Sequence, residues 1–158
     1  MAIFSAVVEA QAVTAAQDIF ELVAPSDSLL AIREIRIGQY SDFGDAAAEI
    51  LSLLVIRGHT VAGSGGSAVT PVNRSPVSGA LASTATVKRN NTTVATTSGV
   101  TVLADAWNIQ TPYLYLPSRE ECILVNPGQR LVVRLSTPAD SISVNATLVF
   151  EEMGQGPA

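Results

Sequence analysis

Apolar and polar positions along the chain fall into short runs, each closed by turn chemistry. The pattern is plainest after Tyr113: Tyr113-Leu114-Tyr115-Leu116-Pro117, then Cys122 to Gly128, then Arg130-Leu131-Val132-Val133-Arg134-Leu135, then Ser141 to Glu152. These runs are rich in β-branched or aromatic residues and end at Pro, Gly, Asn or Asp. That predicts consecutive antiparallel strands. Asn126-Pro127-Gly128-Gln129 carries the residues of a type I or type II turn between two of them.

The same reading extends upstream. Ile3 to Val13 predicts a first strand or an extended arm. Gln17 to Val23 places Ile19, Glu21 and Val23 on one face and Asp18, Phe20 and Leu22 on the other. Apolar groups on both faces predict a strand buried on both sides. A helix over Val13 to Leu22 competes, but the run is strand-sized and Pro25-Ser26-Asp27 closes it with turn chemistry. In Ser28 to Tyr40 the apolar parity switches at Arg33-Glu34, which predicts a β-bulge or a bend there. Ser41 to Asp45 reads as a loop and Ala46 to Ala48 as a short helical turn. Glu49 to Arg57 is apolar on both parities and predicts a central strand.

Composition then changes. Val61 to Gly79 holds Gly63-Ser64-Gly65-Gly66-Ser67, Thr70-Pro71, Ser75-Pro76 and Ser78-Gly79. It reads as a long flexible loop, a kind that is usually functional or disordered. Leu81 to Lys88 resumes a strand, Asn90-Asn91 marks a turn, and Thr92 to Thr97 predicts weak pairing. Val100 to Ile109 is an Ala-rich segment with the single tryptophan, Trp107. The sum is about eight or nine strands with no helix and no fixed-period repeat. The predicted architecture is all-β: an antiparallel β-sandwich of jelly-roll type with one long Gly/Ser-rich loop at 61–79. Residues 1–12 form an N-terminal strand or arm, 13–153 a single sandwich domain and 154–158 a flexible tail.

Length and charge narrow the possibilities. A chain of 158 residues suits one domain with its own core. Apolar residues make up 47% but aromatics only 5%, so Ala, Val, Leu and Ile must build that core. Charged residues reach 15%, against roughly 25% in ordinary soluble domains. Such a surface is either covered by a partner or simply rich in Thr, Ser and Ala. Net charge is −5, and Lys88 is the one lysine among scattered arginines. No basic stripe is present to neutralise phosphates, so nucleic acid is not an expected partner. An acidic chain without a run of about 20 apolar residues is not expected at a membrane either. Met1 to Glu9 lacks the cationic start of a signal peptide, so folding in a cytoplasm is expected.

Candidate chemistry is sparse. One histidine, His59, cannot supply a histidine-clustered metal site, and its place after a strand predicts exposure or capping. Cys122 has no disulfide partner and reads as a small buried hydrophobe. Asp42, Asp45 and Glu49 form an acidic group that fits no EF-hand spacing, and the neighbouring-loop reading is preferred to a cation site. The Gly-rich run lacks the Lys-Ser/Thr ending of a phosphate loop. Glu120-Glu121 and Glu151-Glu152 are adjacent carboxylates that point to opposite strand faces, which suits surface charge and edge protection better than glycosidase chemistry. Tyr113 and Tyr115 share a face. With Trp107 they fit core or subunit packing, or a sugar-stacking platform. No catalytic residue, metal or cofactor is expected.

The segments Ala15 to Glu21 with Pro25-Ser26-Asp27, Glu34-Ile35-Arg36-Ile37-Gly38-Gln39, Ser41-Asp42, Gly44-Asp45, Asn90 to Thr93, Asp105 to Asn108, and Phe150 to Gly154 together resemble small virion structural proteins of tailed phages and prophages. The resemblance covers most of the chain and rests on fold-type motifs. It implies a capsid decoration or cement protein, bound as a trimer to the major capsid protein on the outside of an icosahedral head. It also implies a place on the virion exterior after synthesis in a bacterial cytoplasm. Arms that reach neighbours by strand addition would then come from 1–8 and 61–79, with Ile3, Phe4, Val7, Ser64, Ser67 and Val69 as contact residues. A tail or fibre module that binds the host surface, and a carbohydrate-binding jelly-roll module, are the alternatives.

Overall fold

The computed structural model describes residues 2–40, 49–75 and 82–154. Among these every regular element is a strand: β1 (Ala2–Val13), β2 (Gln17–Val23), β3 (Ser28–Gln39), β4 (Ile50–Arg57), β5 (Ser67–Val69), β6 (Val72–Asn73), β7 (Thr86–Asn91), β8 (Val100–Asn108), β9 (Tyr113–Tyr115), β10 (Leu124–Val125), β11 (Arg130–Leu135) and β12 (Ile142–Gly154). The count exceeds the expected eight or nine, and β5 and β6, three and two residues long, fall where a loop was expected.

The strands build two antiparallel six-stranded sheets. In sheet A the order is β10-β3-β12-β1-β6, and β9 pairs further along the same edge of β3. In sheet B it is β5-β7-β2-β11-β4-β8. Alternation decides what lies between them. From sheet A, Phe4, Ala6 and Val8, then Leu148 and Phe150, then Ile32, Ile35 and Ile37 point inward. They meet Phe20, Leu22, Leu53, Val55, Leu131 and Val133 of sheet B in one buried core. Phe4 and Phe150 stack with ring centroids 5.8 Å apart.

The parity switch in β3 is a bulge. Val149 pairs with Glu34 and Phe150 with Ile32, so Arg33 is the extra residue. It keeps Leu30 and Ile32 on the same inward face as Ile35 and Ile37. A similar shift in β2 lets Ile19, Phe20 and Leu22 all join the core while Asp18 and Glu21 face outward. The strand is buried on both sides as its sequence predicts. Between β10 and β11, Gln129 N–H bonds Asn126 C=O at 2.9 Å and Gly128 has φ +73°, the left-handed third position of a type II turn.

Three expectations need correction. Of the two readings of the N-terminal segment the strand holds and the free arm does not: β1 pairs with β12 along most of its length and with β6 on its other side. Asn90-Asn91 is no turn; both residues end β7, and Asn91 is buried. Cys122 is half-buried before β10, its thiol 3.2 Å from Arg119 C=O, because the apolar run begins pairing only at Leu124. The loop at 41–45, the helical turn at 46–48 and the tail beyond 154 lie outside the described residues.

Candidate docking surface

Each sheet has an outer face, and the two are finished differently. On sheet B the outward residues of β2 are acids: Asp18 is fully buried and Glu21 is 2% exposed. Both pair with arginines on β11. Arg134 Nε lies 2.6 Å from Asp18 Oδ1 and Arg130 Nε 3.2 Å from Glu21 Oε1. A buried carboxylate needs every lone pair engaged, and the remaining donors come from the Gly-rich segment and its neighbour. Gly63 N–H bonds Glu21 Oε2 at 2.7 Å, Asn91 Nδ2 bonds the same oxygen at 2.9 Å, and Ala95 N–H bonds Asp18 Oδ2 at 2.7 Å. Arg134 and Arg130 also donate to the carbonyls of Ala95 and His59, each at 2.7 Å.

Residues 59–66 and 92–97 thus form a strap over sheet B. Val61 pairs with Thr96 and Ser64 with Thr93, and Ala95 packs on Ile56 and Val132. The glycines serve contact. A side chain at Gly66 would meet Arg89 C=O at 2.1 Å, and one at Gly63 would meet Thr93 C=O at 2.8 Å and the Glu21 carboxylate at 2.9 Å. The flexible-loop expectation for 61–79 is therefore overturned for its described part, 61–75. After the strap, β5 joins the edge of β7 and β6 joins β1, so the chain also crosses from one sheet to the other. Residues 76–79 lie outside the described residues.

His59 sits at the base of the strap, half-buried, with Nδ1 3.2 Å from Thr97 C=O and its ring against Gly99. Its packing, not solvent exposure, fixes its place.

Sheet A carries no such paired strap among the described residues, yet Ala31, Val149, Glu34 and Glu151 at the centre of its outer face are buried. Reading across the strands, its outward rows are Ile3, Glu151, Ala31 and Leu124; then Val72, Ser5, Val149 and Glu34; then Val7, Thr147, Arg36 and Leu114. Ion pairs hold the centre. Glu151, 2% exposed, accepts from Arg33 Nε at 2.7 Å and faces Arg119 at 3.8 Å, while Glu34 pairs with Arg36 and Arg74. This corrects the edge-protection reading of Glu151-Glu152. β12 is internal, Glu151 is a buried ion-pair partner, and Glu152 bonds Ser83 and Thr84. Apolar side chains stand exposed at both margins: Ile3, Val7 and Val72 on one side, Leu114 and Leu124 on the other.

The predicted contact residues scatter over this frame. Ile3 and Val7 lie on the outer face of sheet A, 38% and 41% exposed. Phe4, between them, is core. Ser64 is exposed in the strap and Ser67 is exposed in β5, where it accepts a bond from Arg89, while Val69 packs partly on the core. The residues missed by sequence reading are Val72, Leu114 and the ion-paired arginines. Their shared face follows only from cross-strand register.

The aromatic trio is packed. Trp107 is 2% exposed, with Nε1 2.6 Å from Thr111 C=O. Tyr113 is buried, and the Asp105 carboxylate of β8 lies near its hydroxyl. Burial first, then the Asp105 charge, pushes its pKa up to about 12. Glu49 accepts from Ala139 N–H, while Asp42 and Asp45 lie outside the described residues. Among the described residues no cluster of His, Cys, Asp and Glu is arranged to hold a metal. Searches of family models, curated proteins and solved structures find no match to this chain.

Proposed function

We propose that the chain is a non-enzymatic virion structural protein of the capsid decoration type. In this reading it docks on the major capsid protein at the outside of an icosahedral phage head, as a trimer, and stiffens the shell. The observation that carries the reading is the asymmetry of the two outer faces. Sheet B is crossed over β2 and β11 by the chain's own strap, which leaves Ile50 and Val61 exposed singly, whereas sheet A lines up Ile3, Val7, Val72 and Leu114 around fixed ion pairs. Exposed apolar groups with a polar frame mark association surfaces.

The strand order supports a jelly roll. The long strands fall in the orders β1-β12-β3 and β2-β11-β4-β8, and β1 to β4 alternate between the sheets along the chain. That winding suits a rigid double-sheet slab. The host-binding fibre alternative drew on exposed aromatics, and the burial of Trp107 and Tyr113 takes that support away.

The test is a mixing experiment with expanded capsids that lack the protein. Saturable binding, lost on Ile3→Asp and Val7→Asp substitution, is the expected result. Failure of the folded protein to bind those particles would overturn the reading.

A further inference from the structure

One strand-interior glycine is not explained by packing. Gly38 lies on β3, between β12 and the β9 edge, with its missing side chain directed outward from sheet A. An added Cβ there would meet nothing within 4 Å, and its backbone is not left-handed. Gly63 and Gly66 are glycines because neighbours crowd them; Gly38 has room for any residue. A glycine inside a strand loses packing and entropy, and commonly marks a close approach by something else.

The space over Gly38 is a groove of about 710 Å³, within the usual range for small-ligand sites. Arg36 and Thr147 stand on one side and Tyr40 on the other. The β1 bulge at Glu9-Ala10 and Pro112 close the ends. Asn145 is fixed on the floor: its Oδ1 accepts from Ala10 N–H at 2.8 Å, which leaves the amide nitrogen as a donor. Tyr40 is 54% exposed.

We propose that this groove binds a neutral saccharide. The lining holds one carboxylate, Glu9, and one guanidinium, Arg36, whose charge Glu34 already balances, so the groove gives an anion little hold. Carboxylate, guanidinium and amide are planar groups that hydrogen-bond hydroxyls in pairs. The Tyr40 ring supplies an apolar face for a sugar ring. An extended peptide could pair only along the edge of β1 past Ser5, at the side of the groove, because over Gly38 itself β12 and β3 pair with each other. The inference is independent of capsid docking.

The test titrates the isolated full-length protein with glucose, galactose, mannose and N-acetylglucosamine, and with inorganic phosphate as an anionic control, followed by amide NMR shifts. The expected result is saturable shifts for at least one sugar, centred on Gly38, Tyr40, Asn145 and Thr147, with none for phosphate. Gly38→Leu fills the groove without strain, so it should fold normally and abolish the response. Tyr40→Ala, at an exposed position, should weaken it roughly three- to tenfold and serves if the leucine variant misfolds. No sugar response up to solubility, an undiminished response in both variants, or equal shifts with phosphate would overturn the proposal. Capsid binding is read separately, so neither failure masks the other.

Discussion

Arg134 and Asp18 meet across β11 and β2 in a two-pronged pair, and together they grip one residue of the strap: Asp18 accepts from Ala95 N–H while Arg134 donates to Ala95 C=O. The acid is fully buried. Removing one partner leaves an uncompensated charge, which costs about 3–5 kcal/mol. Asp18→Asn keeps an acceptor for Ala95 but strands Arg134. It should lower the unfolding free energy obtained from urea denaturation by an amount in that range and speed proteolytic cleavage in 59–66. A midpoint equal to the parent's would show that the pair does not hold the strap.

The glycines of the strap and of the groove should respond oppositely to alanine. At Gly66 the new methyl would press on Arg89 C=O, which belongs to the backbone of β7 and yields little. Overpacking of that kind costs about 1–3 kcal/mol. At Gly38 nothing is near, and a less flexible unfolded chain should leave stability unchanged or raise it by roughly 0.4–1 kcal/mol. Chemical denaturation of the two single variants measures the contrast.

Neighbours Ile3 and Phe4 point to opposite sides of sheet A. Phe4→Ala removes a ring stacked on Phe150 in the core and should cost about 3–5 kcal/mol. Ile3→Asp alters an exposed position opposite the Glu151 carboxylate and should cost no more than about 1 kcal/mol. If docking uses sheet A, only the second variant should fold normally yet fail to bind particles. Thermal melting beside a particle-binding measurement separates the two effects.

Tyr113 sets an alkaline limit. Its pKa rises from 10.0 to about 12 through burial first and the Asp105 charge second. The folded state therefore holds the phenolic proton more tightly than the unfolded chain does. Its contribution is fully present below pH 10 and is lost as pH climbs from about 10 to about 12. Ultraviolet titration should show Tyr113 ionising last, with Tyr115, raised by burial, also above the ordinary value. Asp105→Asn should move Tyr113 earlier, while burial keeps it above the ordinary value.

Much of this fold can be read from local pattern. The bounds of β2 and β11 follow from apolar runs and their closing turns, and the Arg33 bulge follows from a parity switch, because a buried face punishes a slipped register. The strap is different. Gly63-Ser64-Gly65-Gly66 reads identically whether its glycines serve freedom or close contact. The residues that decide between the two, Glu21, Asn91 and Arg89, are placed beside them only by the fold. Asp18 and Arg134 are 116 positions apart, so neither announces the other. The candidate surface shares this limit. Alternation says that Ile3 and Val7 point together, but only the pairing of β1 with β6 and of β3 with β9 adds Val72 and Leu114 to their side.

The bulge at Glu9-Ala10, together with the bare position on the strand two places away, gives the outer face of sheet A a dent. With the opposite side quilted by its own backbone, the molecule has a front and a back. A copy set down upside down would present the strap, with Val61 at its surface, in place of the Ile3 and Val7 margin, so the two orientations offer a neighbour different contacts.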